Sequence, residues 1–161
     1  MGIDPNVVEA WNIKGVVLGD LDNFYEAIEA FNNALKIDPN YVEALFNKGM
    51  ALGMLGNFEE AVEVYDMALK FNPDVVSAWY RKGIILRALG RIEEAMAAFD
   101  KALAINPAYV PAWFGKGLVL KDIGRNKEAL AFFSKVLEIN PDHTEALKCK
   151  NELMKQLKNN D

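Results

Sequence analysis

Four residue types that often carry enzyme chemistry are scarce in this sequence. It has one cysteine (Cys149), one histidine (His143), two serines (Ser77 and Ser134) and one threonine (Thr144). A lone cysteine cannot close an internal disulfide, which fits a reducing compartment. His143 follows Pro141-Asp142 and reads as an exposed turn histidine rather than a metal ligand or general base. Gly115-Lys116 lacks the glycine five residues earlier that a Walker phosphate loop requires. No uncharged apolar run approaches the roughly 18 residues of a membrane span. The opening MGIDPN has neither the charged and apolar regions of a signal peptide nor the Ser or Thr of a myristoylation site. A surplus of positive charge is missing too: 18 Lys+Arg stand against 23 Asp+Glu, a net charge of −5. Phosphate neutralisation therefore has no dense basic patch to draw on. These absences predict a cytoplasmic protein that is not an enzyme, has no cofactor or metal, and binds neither nucleic acid nor membrane.

What is present is periodic. The chain has 161 residues, 52% hydrophobic and 25% charged, enough for one domain spanning 1–161. Prolines fall at Pro5, Pro39, Pro73, Pro107 and Pro141, a step of 34 each time, and only Pro111 stands outside the series. On that period a bulky residue recurs as Trp11, Leu45, Trp79, Trp113 and Leu147. Gly15, Gly49, Gly83 and Gly117 follow four residues on. Next come Ala27, Ala61, Ala95 and Ala129, and then Phe31, Tyr65, Phe99 and Phe133. Apolar spacings of three and four give each half-unit one helical stripe.

The order bulky-x-x-x-Gly, Ala, aromatic, Ala, Pro within 34 residues resembles the tetratricopeptide repeat. The resemblance implies an all-α fold, a right-handed α-solenoid. Its helix-turn-helix units are expected at 8–41, 42–75, 76–109 and 110–143, with a capping helix at 144–158. Helix pairs are expected at 8–21/24–37, 42–55/58–71, 76–89/92–105 and 110–123/126–139. Gly56, Gly90 and Gly124 sit where the first helix of a unit must turn, with Asp22-Asn23 in the first unit. Asn/Asp-Pro ends the second helix, and Asn40 and Asp74 are candidate N-caps for the next one. Leu147, Met154 and Leu157 share one side of the last helix, which is polar enough to close the array. Ile3-Asp4-Pro5-Asn6 repeats Ile37-Asp38-Pro39-Asn40. It reads as the tail of a preceding unit in a longer array, or as an end that a partner caps.

The family binds partner segments on the concave face lined by the first helix of each unit. Carried over residue by residue, its groove positions are Phe46, Tyr80 and Phe114, with Asn12 in the first unit. One turn on lie Val16, Met50, Ile84 and Leu118, and along the side run Asn47, Arg81, Arg87, Lys121 and Lys148. Helical aromatics are most often core, but the Trp, Ala and Phe stripe already fills the space between helices. A second apolar row beside it makes a candidate interaction surface. Asn47 and Arg81 match two of five positions in the co-chaperone carboxylate clamp, which argues against a working clamp. Lys14, Lys48, Lys82, Lys116 and Lys150 stand where the family often has leucine. They read as stems lying on apolar neighbours and paired with Glu26, Glu60, Glu94 and Glu128, with a cationic ladder as the competing reading.

The expected function is a non-enzymatic protein-interaction scaffold. Its groove would take a peptide or helical segment of a partner, amphipathic and with acidic character facing Arg81, Arg87 and Lys121. The alternative is self-association, a homo-oligomer stacked through the N-terminal or other uncapped repeat end.

Overall fold

The structure, a computed structural model, describes residues 5–159, with side chains from residue 7 to residue 158. Among the described residues it consists of helices α1 (Pro5–Asp20), α2 (Phe24–Ile37), α3 (Val42–Met54), α4 (Phe58–Phe71), α5 (Val76–Ala88), α6 (Ile92–Ile105), α7 (Val110–Asp122), α8 (Asn126–Ile139) and α9 (Thr144–Asn159). The positions follow the 34-residue period. The exception is α1, which begins three residues before the expected residue 8. Pro5 and Asn6 form its first turn, whereas Pro39-Asn40 is a turn between helices. Ile3 and Asp4 of the repeated tetrapeptide lie outside the described residues.

Two kinds of turn join the helices, each set by local chemistry. Within a pair, the chain reverses through a left-handed residue: Gly56, Gly90 and Gly124 have φ of 79°, 72° and 76°, and Asp22 has 59°. Between pairs, the Asn or Asp before proline folds back on the backbone. Asp38 Oδ1 accepts the Asn40 N–H (3.0 Å), and Asn72 Oδ1 accepts the Asp74 N–H (3.1 Å). Asn40 and Asp74 are therefore not N-caps. Their amides are used inside the turn, and the cap positions fall one residue later, at Tyr41 and Val75, without a side-chain cap bond. The following tryptophan fastens the turn, since Trp79 and Trp113 Nε1 donate to the Pro73 and Pro107 carbonyls, each at 2.8 Å.

The core is built from rings set on glycines. A Cβ at Gly15, Gly49, Gly83 or Gly117 would lie 2.4–2.8 Å from Phe31, Tyr65, Phe99 or Phe133 respectively. Those four aromatics are buried, as are Ala27, Ala61, Ala95 and Ala129. Glycine is needed at these positions because the ring occupies the place of its side chain.

Odd-numbered helices α1, α3, α5 and α7 pack against one another in succession, while the principal contacts of the even-numbered helices are all to odd-numbered ones. The odd helices thus form the inner layer of the solenoid. The final helix is oriented differently from expectation. Ala146 and Leu153 are its buried residues, and Leu147 and Met154 are 48% and 41% exposed. They hold the places of Leu45 and Leu52, which α4 covers in the second unit; α9 is followed by no such helix among the described residues.

The lysine series is only partly paired as expected. Lys48 meets Glu60 at 3.4 Å, whereas Lys82 and Lys116 reach back to Asp66 and Asp100 on the preceding helix. Glu94 and Glu128 are instead held by Arg91 and Arg125. Lys14 lies over the Trp11 ring at 4.9 Å.

Gly83→Ala should destabilise the protein by about 1–3 kcal/mol in urea unfolding, through overpacking against Phe99. Gly19→Ala, where an added Cβ meets nothing within 4 Å, should stabilise it by about 0.5–1 kcal/mol. Equal effects at the two positions would contradict the ring-on-glycine account.

Candidate functional site

The inner layer carries all the predicted groove residues, and it distributes them between floor, brace and open surface. Phe46, Tyr80 and Phe114 are half-buried. Each ring leans on an inner aromatic of its own unit: Phe46 on Tyr65 at 6.0 Å, Tyr80 on Phe99 at 6.1 Å, Phe114 on Phe133 at 5.6 Å between centroids. Residues of the next turn close over two of them, Tyr109 against Tyr80 at 5.7 Å and His143 against Phe114 at 4.8 Å. The row expected to stand as an exposed apolar patch is therefore a partly covered floor. Ile84 and Leu118 are half-buried beside it, and Met50 lines an open cleft described below.

His143 is not the exposed turn residue that its Pro-Asp context suggests. Its side chain is 17% exposed, and its Nδ1 accepts the Ala146 N–H at 3.2 Å, capping α9. The sequence signal for this role is its register with Tyr109, 34 residues earlier, and with Tyr41, three periods earlier.

The polar groove positions are largely engaged with one another. Asn12 is buried, and its Oδ1 accepts a hydrogen bond from Asn47 Nδ2 at 3.1 Å, tying α1 to α3. Arg87 grips Asp122 through two bonds, Nε to Oδ2 at 2.5 Å and the terminal nitrogen to Oδ1 at 3.2 Å. Lys121 donates to Glu152 Oε2 at 3.0 Å. These pairs brace α5 to α7 and α7 to α9. An acidic partner facing Arg87 and Lys121 would have to displace carboxylates already in place. Arg81 and Lys148 are exposed, and neither has an ion-pair partner among the described residues.

Titration follows the same geometry. The hydrogen bond from Lys121 holds the Glu152 carboxyl below its usual range, and Glu152 in turn raises Lys121. Burial pushes the phenols of Tyr65 and Tyr109 up, with the nearby Arg81 charge opposing.

One open cleft lies on this face, between α1, the start of α2, and α3. It has a volume of about 120 Å³ and is mostly apolar, lined by Val16, Gly19, Phe24, Met50, Ala51 and Met54 among others. Met54 is 66% exposed and Val16 38%. Met54 was not among the predicted positions; its place four residues beyond Met50 is the signal that puts it on the same face. Among the described residues no group of three or more His, Cys, Asp or Glu is arranged to hold a metal, and no helix is long and apolar enough to cross a membrane.

Paired helices in two layers, with a continuous inner face, define a helical-repeat α-solenoid. Tetratricopeptide repeat models match residues 8–41, 46–110 and 86–153, and the chain belongs to the tetratricopeptide repeat family. Among solved structures it is similar to MamA (27% identity, TM-score 0.80, covering 88% of this chain and 83% of that one). Similar folds at lower identity include YrrB (22%, TM-score 0.75, 92% and 77% covered) and pilF of Pseudomonas aeruginosa (20%, TM-score 0.86, 96% and 70% covered). No curated protein matches the chain in sequence.

The carboxylate pairs make a signed pH prediction. Glu94, Glu128 and Glu152 have folded-state pKa values lowered by Arg91, Arg125 and Lys121. Their contribution is complete above the ordinary carboxylate range and disappears as pH falls through the lowered values. The thermal midpoint should therefore drop on acidification from neutral pH. Glu152→Gln should lower the midpoint at neutral pH, with the gap to the parent closing in acid. A gap that stays constant with pH would mean the Lys121–Glu152 pair contributes nothing.

Proposed function

We propose that this chain is a non-enzymatic protein-interaction scaffold whose inner face, formed by α1, α3 and α5, holds a segment of a partner protein. The observation that carries the proposal is the open apolar surface of Val16, Met50 and Met54, with the half-buried Phe46 on α3 and, on α5, the half-buried Tyr80 and the exposed Arg81. A surface of this composition suits a partner segment, since aromatic, Met and Arg side chains are enriched at interface centres. Its floor is fixed by stacked rings, so a ligand bears most of the ordering cost of binding itself. Among the similar folds, YrrB is described as having an unusual peptide-binding site, which supports the reading. Acidic character in the ligand is expected only opposite Arg81, because Arg87 and Lys121 are braced by Asp122 and Glu152.

A second reading, self-association through the ends of the array, is favoured by a separate observation. On α1, Ile13 and Val17 are 53% and 52% exposed, Leu21 in the turn that follows is 65% exposed, and on α9 Leu147 and Met154 are open as well. The counterparts of Val17 in the later units, Ala51, Ile85, Val119 and Leu153, are all buried. Sedimentation over a concentration series separates the two: constant monomer mass supports the groove reading, and mass growing with concentration supports stacking.

Peptides selected from a displayed library should lose affinity about two- to fivefold on Arg81→Glu when they carry an acidic residue, the size of one exposed ion pair. Arg87→Ala should lower the thermal midpoint while leaving affinity nearly unchanged. Selected peptides with unaltered affinity for both variants and for Phe46→Ala would remove the groove assignment.

A further inference from the structure

The repeats differ most informatively at the cleft between α1 and α3. Superposing units by the 34-residue period, Gly19 corresponds to Gly53, Ala51 to Ile85, and Phe24 to Phe58. At the next junction, between α3 and α5, the Ile85 side chain is buried at 9% exposure. Its Cδ1 lies 3.1 Å from where a Cβ on Gly53 would stand. At the junction between α1 and α3 the same place has Ala51, and a Cβ on Gly19 would meet nothing within 4 Å. The 120 Å³ cleft thus lies where the neighbouring unit seats an isoleucine.

The rim adds a sign. Asp20 lines the cleft and is exposed, Asp22 follows in the turn, and no lysine or arginine is among the lining residues. The C-terminal end of α1 adds its partial negative charge at the same edge. Opposite charge is therefore favoured beside the cleft, in contrast to the Arg81 region.

We infer that this cleft is the anchor subsite for a partner segment, taking one branched aliphatic side chain in the place that Ile85 fills one unit on, with a lysine or arginine next to it facing Asp20. The inference deepens the groove reading and rests on it. It gives the bound segment a polarity: a basic, aliphatic end over α1 and α3, with any acidic residue further along, near Arg81.

The test uses the full chain and a defined probe, N-acetyl-isoleucyl-lysine amide, followed by the ε-methyl signals of Met50 and Met54. A saturable shift of both signals is expected. It should weaken at least about tenfold when alanine replaces the probe's isoleucine, given the apolar surface lost, and about two- to fivefold when glutamate replaces its lysine. Asp20→Asn should level the difference between lysine and glutamate. Ala51→Ile, which copies the next unit, should abolish the shift while keeping native helicity. Gly19→Leu supplies the same blockade from the other wall. Absence of a shift in the parent chain, equal binding of the alanine probe, or binding that survives both filling variants would overturn the inference. Library peptides that respond to Arg81→Glu but leave Met50 and Met54 unshifted would remove the anchor and keep the groove. Absence of any ligand, the dipeptide included, would remove both.

Discussion

Everything in this molecule depends on an aromatic ring lying against a glycine. Phe31, Tyr65, Phe99 and Phe133 occupy the space that side chains at Gly15, Gly49, Gly83 and Gly117 would need. That contact draws each even helix against the odd helix before it and fixes their separation. The same rings then support the second aromatic row from behind, which is why Phe46, Tyr80 and Phe114 are held in place rather than free to collapse or swing. Burial of the Tyr65 ring is deep enough to push its phenol up. Successive odd helices are brought side by side as a consequence, and they form most of the inner face.

The period, the helices and the turns could be read from the sequence because they follow from local rules repeated four times. A glycine that must adopt positive φ, a proline that stops a helix, and a ring four residues after an alanine each leave their mark within one unit. The pairing of polar groups could not be read in this way. Arg87 finds Asp122 and Lys121 finds Glu152 across 35 and 31 residues; on the period Asp122 recurs only as Asp20, and Glu152 has no acidic counterpart. Lys82 and Lys116 similarly pair with Asp66 and Asp100 rather than with Glu94 and Glu128, which Arg91 and Arg125 hold. The neighbours Pro141 and Asp142 carry no sign of the covering of His143, since the ring it lies against, Phe114, is 29 residues away in sequence. The last helix carries the residue pattern of an inner helix, and among the described residues no outer helix covers its Leu147 and Met154.

Binding capacity in such an array comes from departures from the repeat. Where the units agree, side chains satisfy one another and leave a closed surface. Where one unit substitutes a smaller residue, as Ala51 stands for Ile85 and Gly19 for Arg87, space opens on a rigid wall. Charge departs in the same way, with Asp20 at one end of the face and Arg81 further along it. The two ends of the inner face consequently ask different things of whatever lies along it.

Hydrogen–deuterium exchange on the chain, alone and with a selected peptide, tests the central claim most directly. The account predicts that added protection falls on α1, α3 and α5, with the even helices unchanged. Protection confined to α2, α4, α6 and α8, or to the exposed ends at α1 and α9 alone, would contradict it.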